Sequence, residues 1–340
     1  MAKSSEKAFD AEQLLQEYQT YDRAVDLVSI YQWLFTGTKE LPPSVVHFER
    51  YPSLSGTDGN KATPDFTVQY CDGTGLVGEI ANVALHENSV DKLCAQIQRY
   101  DEFSELPGAN GLSGASIVDV LVLTPISIVA DVCTRICQRI DDPEHWYAPK
   151  RRPVIVGYSP ATDQYTLVVW PSPGNGQLHP VIGAQKSYAD FGTLNVKPVF
   201  FQDVKITDPF MNDPIPALYL ATRLWVSVFP SLYGARGTEF TVSSVDIAKN
   251  LKRMYGRGNV SDVDRAMAVL QRAGLATQPS PKRWHVRRIG LRSADVHVEI
   301  AERIRPTEPR HSISPSKPAL HNRGCSWGLN PPASSRDLAM

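Results

Sequence analysis

The chain has 340 residues, 42% hydrophobic and 21% charged, with a net charge of −1. That length accommodates two domains with cores of their own, and the composition is that of a globular protein. No run approaches the roughly 18 apolar residues of a membrane helix, the opening MAKSSEKAFDAEQ has no apolar h-region, and the five cysteines form no paired framework, so a cytoplasmic protein with free thiols and no membrane contact is expected. Cys133 and Cys137 stand four apart on an expected helix, but no His or Cys pair near them completes a zinc set.

Residues 8–36 carry apolar side chains at helical spacing (Leu14, Leu15, Tyr18, Tyr21, Val25, Val28), and Pro42-Pro43 closes the helix. VVHFERY (45–51) reads as a strand, SLSGTDGNKAT as a loop and PDFTVQY as a strand. CDGTG is a tight turn, so residues 64–83 form an expected hairpin. A helix over 88–104 follows, with Asn88 or Ser89 as its cap. SIVDVLVLTP suits a buried central strand, ISIVADVCTRICQRI an amphipathic helix, and PVIVGYSPATDQYTLVVWPS a strand, turn and strand. This order predicts an α/β fold around a mixed sheet flanked by helices, over residues 8–172.

Residues 173–214 read as a Pro-, Gly- and Asp-rich connector in which KPVFFQDVKI is one more strand. A helix, IPALYLATRLWVSVFPSLYG, ends near Pro230 or Gly234. VSSVDIAKNLKRMYG is a helix capped by Ser243 or Ser244, and GRGN a turn. VSDVDRAMAVLQRAGL is a second helix with Ser261 as cap and Gly274 as stop. ATQPSPKRWHVRRIGL is two strands around a Pro-containing tip. The segment 306–340, dense in Pro and Ser and poor in aliphatic residues, is expected to be a disordered tail.

Within the first region, Pro64-Asp65 opens a strand, Glu79 sits inside the next strand, and Gln96 and Tyr100 share one face of the helix that follows. This order of acid, acid and Gln-x-x-x-Tyr resembles the PD-(D/E)xK nuclease superfamily, in particular its RecB-like branch. The resemblance implies a restriction-endonuclease-like fold in which Asp65 and Glu79 hold Mg²⁺ or Mn²⁺. The metal activates a water and neutralises the phosphate. The family's lysine, two residues after the second acid, is Ala81 here. Strand alternation puts Ala81 on the side of Glu79 and turns Asn82 away from it, unless a bulge intervenes. Lys92, spaced i, i+4, i+8 with Gln96 and Tyr100, is the expected replacement. Glu49, or Glu17 on the first helix, is the expected further acid. The bland alternatives are a turn-capping Asp65, a Glu79 on an edge strand, a polar helix face at Gln96 and Tyr100, and a solvated Lys92.

Residues 215–292 resemble a winged helix-turn-helix domain, with LQRAGLA before the hairpin typical of such domains. The resemblance implies that helix 261–273 enters the major groove, presenting Arg265, Gln271 and Arg272. Lys282, Arg283, Arg287 and Arg288 would form the wing on phosphates or in the minor groove, with Trp284 anchoring it to the core. Between Ser244 and Arg292 there are eleven Lys and Arg against three Asp and Glu, a local balance of +8 that leaves −9 for the remainder. That asymmetry is a nucleic-acid-binding pattern. The expected function is a metal-dependent DNA endonuclease targeted by its winged helix, in a mobile-element or defence setting, with a homodimer as one candidate assembly. The rivals are a nuclease-fold regulator without catalysis and a protein-interaction module. No phosphate-cradling Gly-rich loop, G-x-S-x-G elbow or HExxH is present.

Overall fold

The longest helix in the described part of the chain, α1 (Ala11–Thr36), changes the direction of its buried face along its length. Leu14, Tyr21 and Val25 enter one core, while Leu27, Val28, Ile30 and Tyr31 enter another. A computed structural model describes residues 10–36, 45–56, 61–170, 193–234, 239–291 and 295–305. All of these fall in one compact unit.

The second core is one side of a seven-stranded mixed sheet. Its strands are β1 (Val45–Arg50), β4 (Phe66–Tyr70), β5 (Thr74–Ile80), β8 (Ile117–Pro125), β9 (Val154–Pro160), β10 (Tyr165–Val169) and β11 (Thr193–Val196), in spatial order β1-β4-β5-β8-β9-β10-β11. β1, β4 and β5 are antiparallel neighbours, β5, β8 and β9 run parallel, and β9, β10 and β11 are antiparallel again. The antiparallel β4–β5 pair is the expected hairpin. The parallel β5–β8 step needs a crossover, which α2 (Glu87–Tyr100) supplies together with a small hairpin, β6 (Glu105–Gly108) and β7 (Gly111–Gly114). The apolar SIVDVLVLTP run becomes β8, the central strand, with Val120 to Leu123 all buried.

Side-chain alternation splits the sheet between two cores. Phe66, Val68, Leu76, Leu121 and Leu123 face α1. Val77, Ala81, Val120 and Val122 face α2 and α3 (Val129–Asp141). Gly78 pairs with Phe66 across β4–β5, and the Phe66 ring lies where a Cβ at 78 would stand, so glycine is required there. Arg139 fastens α3 to α2 through Asp91 at 2.6 Å and through Glu87.

KPVFFQDVKI, expected as a strand, is instead α4 (Pro198–Thr207). Pro198 at the first turn presets a helical φ. Lys205 reaches Asp22 and Asp26 of α1 at 2.8 and 2.6 Å, and Phe201 is buried against the sheet core. The expected loop after Tyr51 contains a short paired arm, β2 (Leu54–Ser55) with β3 (Lys61–Ala62). The cap of α2 is His86, with no side-chain hydrogen bond, in place of Asn88 or Ser89.

The first core is largely helical. α5 (Ala217–Arg223), a π-helical turn (Leu224–Val228) and α6 (Phe229–Tyr233) run on continuously to Gly234. β12 (Glu239–Ser243), α7 (Ser244–Tyr255), α8 (Val260–Arg272), β13 (Ala276–Ser280), β14 (Arg283–Arg287) and α9 (Val296–Ile304) follow. β12, β14 and β13 form a three-stranded antiparallel sheet in that order. Ser243 caps α7 by accepting from the Val245 amide. The cap of α8 is Asn259, two residues earlier than the expected Ser261, whose amide it binds at 2.8 Å. Trp284 is buried and donates to Ser244 Oγ at 2.8 Å, which fixes the β13–β14 hairpin to α7. The tail 306–340 lies outside the described residues.

Candidate functional site

Antiparallel pairing places the start of β4 beside the end of β5. Phe66 is opposite Gly78, and the Asp65 amide donates to Gly78 O at 3.1 Å. Asp65 and Glu79, fourteen residues apart in sequence, therefore meet at one end of the sheet. This is also where the parallel strands β5, β8 and β9 have their carboxyl ends, the usual ligand-binding end of a parallel sheet.

The two acids line a cavity of about 630 Å³. α1 supplies Glu17, Thr20, Tyr21 and Arg23 to its wall, the strand ends and α2 supply Thr63, Asn82, Gln96 and Tyr158, and Met211 to Pro216 supply the far side. That far side is tied down from α1 and from the turn between α7 and α8. The Met211 amide donates to Tyr21 Oη at 2.8 Å, and Arg257 donates to Met211 O and Asn212 Oδ1.

Asp65 Oδ2 accepts from the Ile80 amide at 2.6 Å. Glu79 Oε2 accepts from Tyr100 Oη at 2.6 Å, and Gln96 Nε2 donates to the same hydroxyl at 2.9 Å. Gln96, Tyr100 and Glu79 thus form one chain of hydrogen bonds from helix to strand. Burial is the main force on both acids. It pushes Asp65 up to about 7, with the Ile80 amide pulling the other way. Glu79 is pushed up to about 8, first by burial and then by the charge of Asp65. Two carboxylates brought together away from water disfavour each other's ionisation.

The other expected residues are placed differently. Lys92 is exposed and does not line the cavity. At 3.6 residues per turn it is rotated by about 80° from Tyr100, enough to leave the inward face. Glu49 lies on β1, opposite Thr67, bound to His47 Nε2 at 3.3 Å and away from the cavity wall. Glu17, the alternative acid, does line it. Ala81 is packed in the core under α2, its amide donating to Leu123 O at 2.7 Å. Asn82, which alternation turns away, is on the wall because β5 ends at Ile80 and alternation ends with it. Arg23, Asp213 and Tyr158 were not singled out by sequence. Their only signal is position near a sheet end that the fold itself creates. Among the described residues, no three of His, Cys, Asp and Glu are close enough to make a ready metal shell.

On the C-terminal module, Gln271 and Arg272 are exposed at the end of α8. Lys282, Arg283 and Arg287 are exposed on the β13–β14 hairpin, and Arg288 is half-buried near Gly234 O. Pro281-Lys282 makes the hairpin tip, with Lys282 at φ 59°, as the third position of a type II turn requires. Arg265 is held by Asp262 at 2.7 Å. Comparison with family models, curated proteins and solved structures finds no match to this chain.

Proposed function

We propose that this chain is a metal-dependent DNA endonuclease with a PD-(D/E)xK-like core and a winged-helix module that binds DNA. One observation carries the reading: Asp65 and Glu79, from adjacent antiparallel strands, stand together on a cavity wall, and Tyr100 and Gln96 of the next helix hold Glu79 in place. Two buried carboxyl groups whose pKa values burial raises are a costly arrangement unless a cation or a proton occupies the site. The element order supports the same reading, with an antiparallel β1-β4-β5 meander, a helix and a parallel strand. The helix, strand, helix, helix and hairpin order of 217–287, with its β12-β14-β13 sheet, supports the winged helix.

The donor set fits a hard, oxygen-binding divalent ion such as Mg²⁺. Asp65 and Glu79 would hold it. When bound, such an ion lowers the pKa of a coordinated water and offsets charge on the phosphate. Tyr100 fixes one oxygen of Glu79, and the Ile80 amide fixes one oxygen of Asp65, so both acids are orientated in advance. The exposed Gln271, Arg272, Lys282, Arg283 and Arg287 would bind the duplex.

Calorimetric titration with Mg²⁺ and Mn²⁺, on the wild type and on Asp65→Ala/Glu79→Ala, tests the site. Binding at micromolar to millimolar strength that disappears in the double variant, with metal-dependent cleavage of duplex or branched DNA, is the expected result. Ala81, buried where the resembling family has its lysine, favours a second reading: a nuclease-fold regulator that binds DNA without cutting it. That reading is supported instead if DNA binds with a steep salt dependence while neither metal binding nor cleavage is found.

A further inference from the structure

We propose that Arg23 is the phosphate-contacting cation of the cavity, the side chain that holds a DNA phosphodiester against Asp65 and Glu79. The inference rests on the nuclease reading above and adds to it a residue on α1, outside the strands and helix that carry the acids.

The electrostatics of the wall lead to it. Four carboxylates line the cavity, Glu17, Asp65, Glu79 and Asp213, and Arg23 is the one cationic side chain among the lining residues. A phosphodiester entering this space meets negative charge on several sides and needs a fixed positive partner. Other nearby cations are already engaged. Lys205 bridges Asp22 and Asp26. Arg50 is spent on Gln32 Oε1, Ser29 Oγ and Asp208 O, and Arg257 holds the Met211–Asn212 segment. Arg23 has no carboxylate ion pair among the described residues.

Arg23 also stands on a well-packed stretch of α1. Its neighbour on the wall is Tyr158, a buried residue near the carboxyl end of β9 whose hydroxyl feels the Arg23 charge. The Arg23 backbone is held on either side by the buried Tyr21 and Val25. A guanidinium presents its donors on a planar fork, in the paired geometry that phosphate oxygens accept. A lysine has no such fork, so Arg23→Lys retains charge but not bidentate contact.

The test uses the full chain with Arg23→Ala and Arg23→Lys. Metal affinity is read by Mg²⁺ calorimetry, cleavage by turnover of a duplex oligonucleotide, and phosphate contact by the slope of log affinity against log salt. Expected are Mg²⁺ binding retained in both variants, cleavage down on the order of 10²–10³-fold in Arg23→Ala with partial recovery in Arg23→Lys, and a salt slope shallower by about 0.9 in Arg23→Ala. Wild-type cleavage and slope in Arg23→Ala overturn the assignment of Arg23 and leave the nuclease reading intact. Loss of Mg²⁺ binding together with a lowered melting temperature in both variants makes Arg23 a structural residue and also overturns it. A wild type that neither binds metal nor cuts DNA overturns the nuclease reading, and this inference with it.

Discussion

Glu79 and Asp65 hold protons that ordinary carboxylic acids have lost by neutral pH. Burial lifts them to about 8 and about 7, from 4.5 and 3.8. A raised carboxyl pKa means that the folded chain binds the proton more tightly than the unfolded chain does. The stability this provides is fully present below about pH 4 and is lost as pH rises through 7 and 8. Glu79→Gln keeps an acceptor for Tyr100 and removes the titration. In a chelator, Glu79→Gln is expected to be more stable than the wild type by on the order of 2 kcal/mol at pH 8.5, and by far less at pH 5. Denaturant unfolding at the two pH values checks this, and an equal difference at both would show that Glu79 does not titrate in this window. A divalent cation between the acids favours their charged forms, so Mg²⁺ is expected to flatten the wild-type pH profile.

At the scale of elements, the site depends on how α2 is held, because that helix carries Gln96 and Tyr100. Its inner face is apolar (Val90, Leu93, Cys94, Ile97), and its first turns are fastened to α3 by Arg139, which binds Asp91 and Glu87. The Arg139 side chain is only 8% exposed, so its loss also removes packing. Arg139→Ala is expected to destabilise the fold by roughly 1–2 kcal/mol and, on the proposed function, to weaken Mg²⁺ binding, although residue 139 does not line the cavity. Thermal unfolding and calorimetry check both effects. Unchanged metal affinity in a folded Arg139→Ala would show that α2 holds Glu79 without this tie. The β13–β14 hairpin is a second held element, since Trp284 and Ser244 join it to α7 and leave its basic side chains exposed.

At the scale of the whole molecule, α1 belongs to two cores at once, and it brings Glu17 and Arg23 to the sheet end where Asp65 and Glu79 meet. β11 and α4, in the segment that composition marks as a connector, complete the sheet layer. A chain built this way is expected to unfold in one transition from residue 10 to 305. Leu218→Ala, in the helical core, and Leu123→Ala, in the sheet core, should each cost about 2–5 kcal/mol. Each should shift far-UV and aromatic signals together. Two separated transitions, each moved by only one substitution, would show that the cores are independent.

Sequence alone determined the local features. Periodicity set α1, α2, α3 and α8. The Cys71–Gly75 turn set the β4–β5 hairpin. An apolar run bounded by Gly and Pro set the central β8. The grouping of Asp65, Glu79, Gln96 and Tyr100 was expected from a resemblance in residue order; hairpin pairing by itself accounts only for the meeting of the two acids. Everything that depends on contact across long sequence distance was decided by the tertiary structure. Pro198–Thr207 became a helix because Lys205 and Phe201 found partners on α1 and the sheet. Asn82 faces the cavity because the strand stopped at Ile80. Lys92 lies outside because two helical turns rotate it off the inward face. Arg23, Asp213 and Tyr158 join the acids only because α1, the segment before α5 and the end of β9 converge on one sheet end. Local rules fix what each segment is. Which segments share a cavity follows from burying their apolar faces together, and no short window of sequence carries that information.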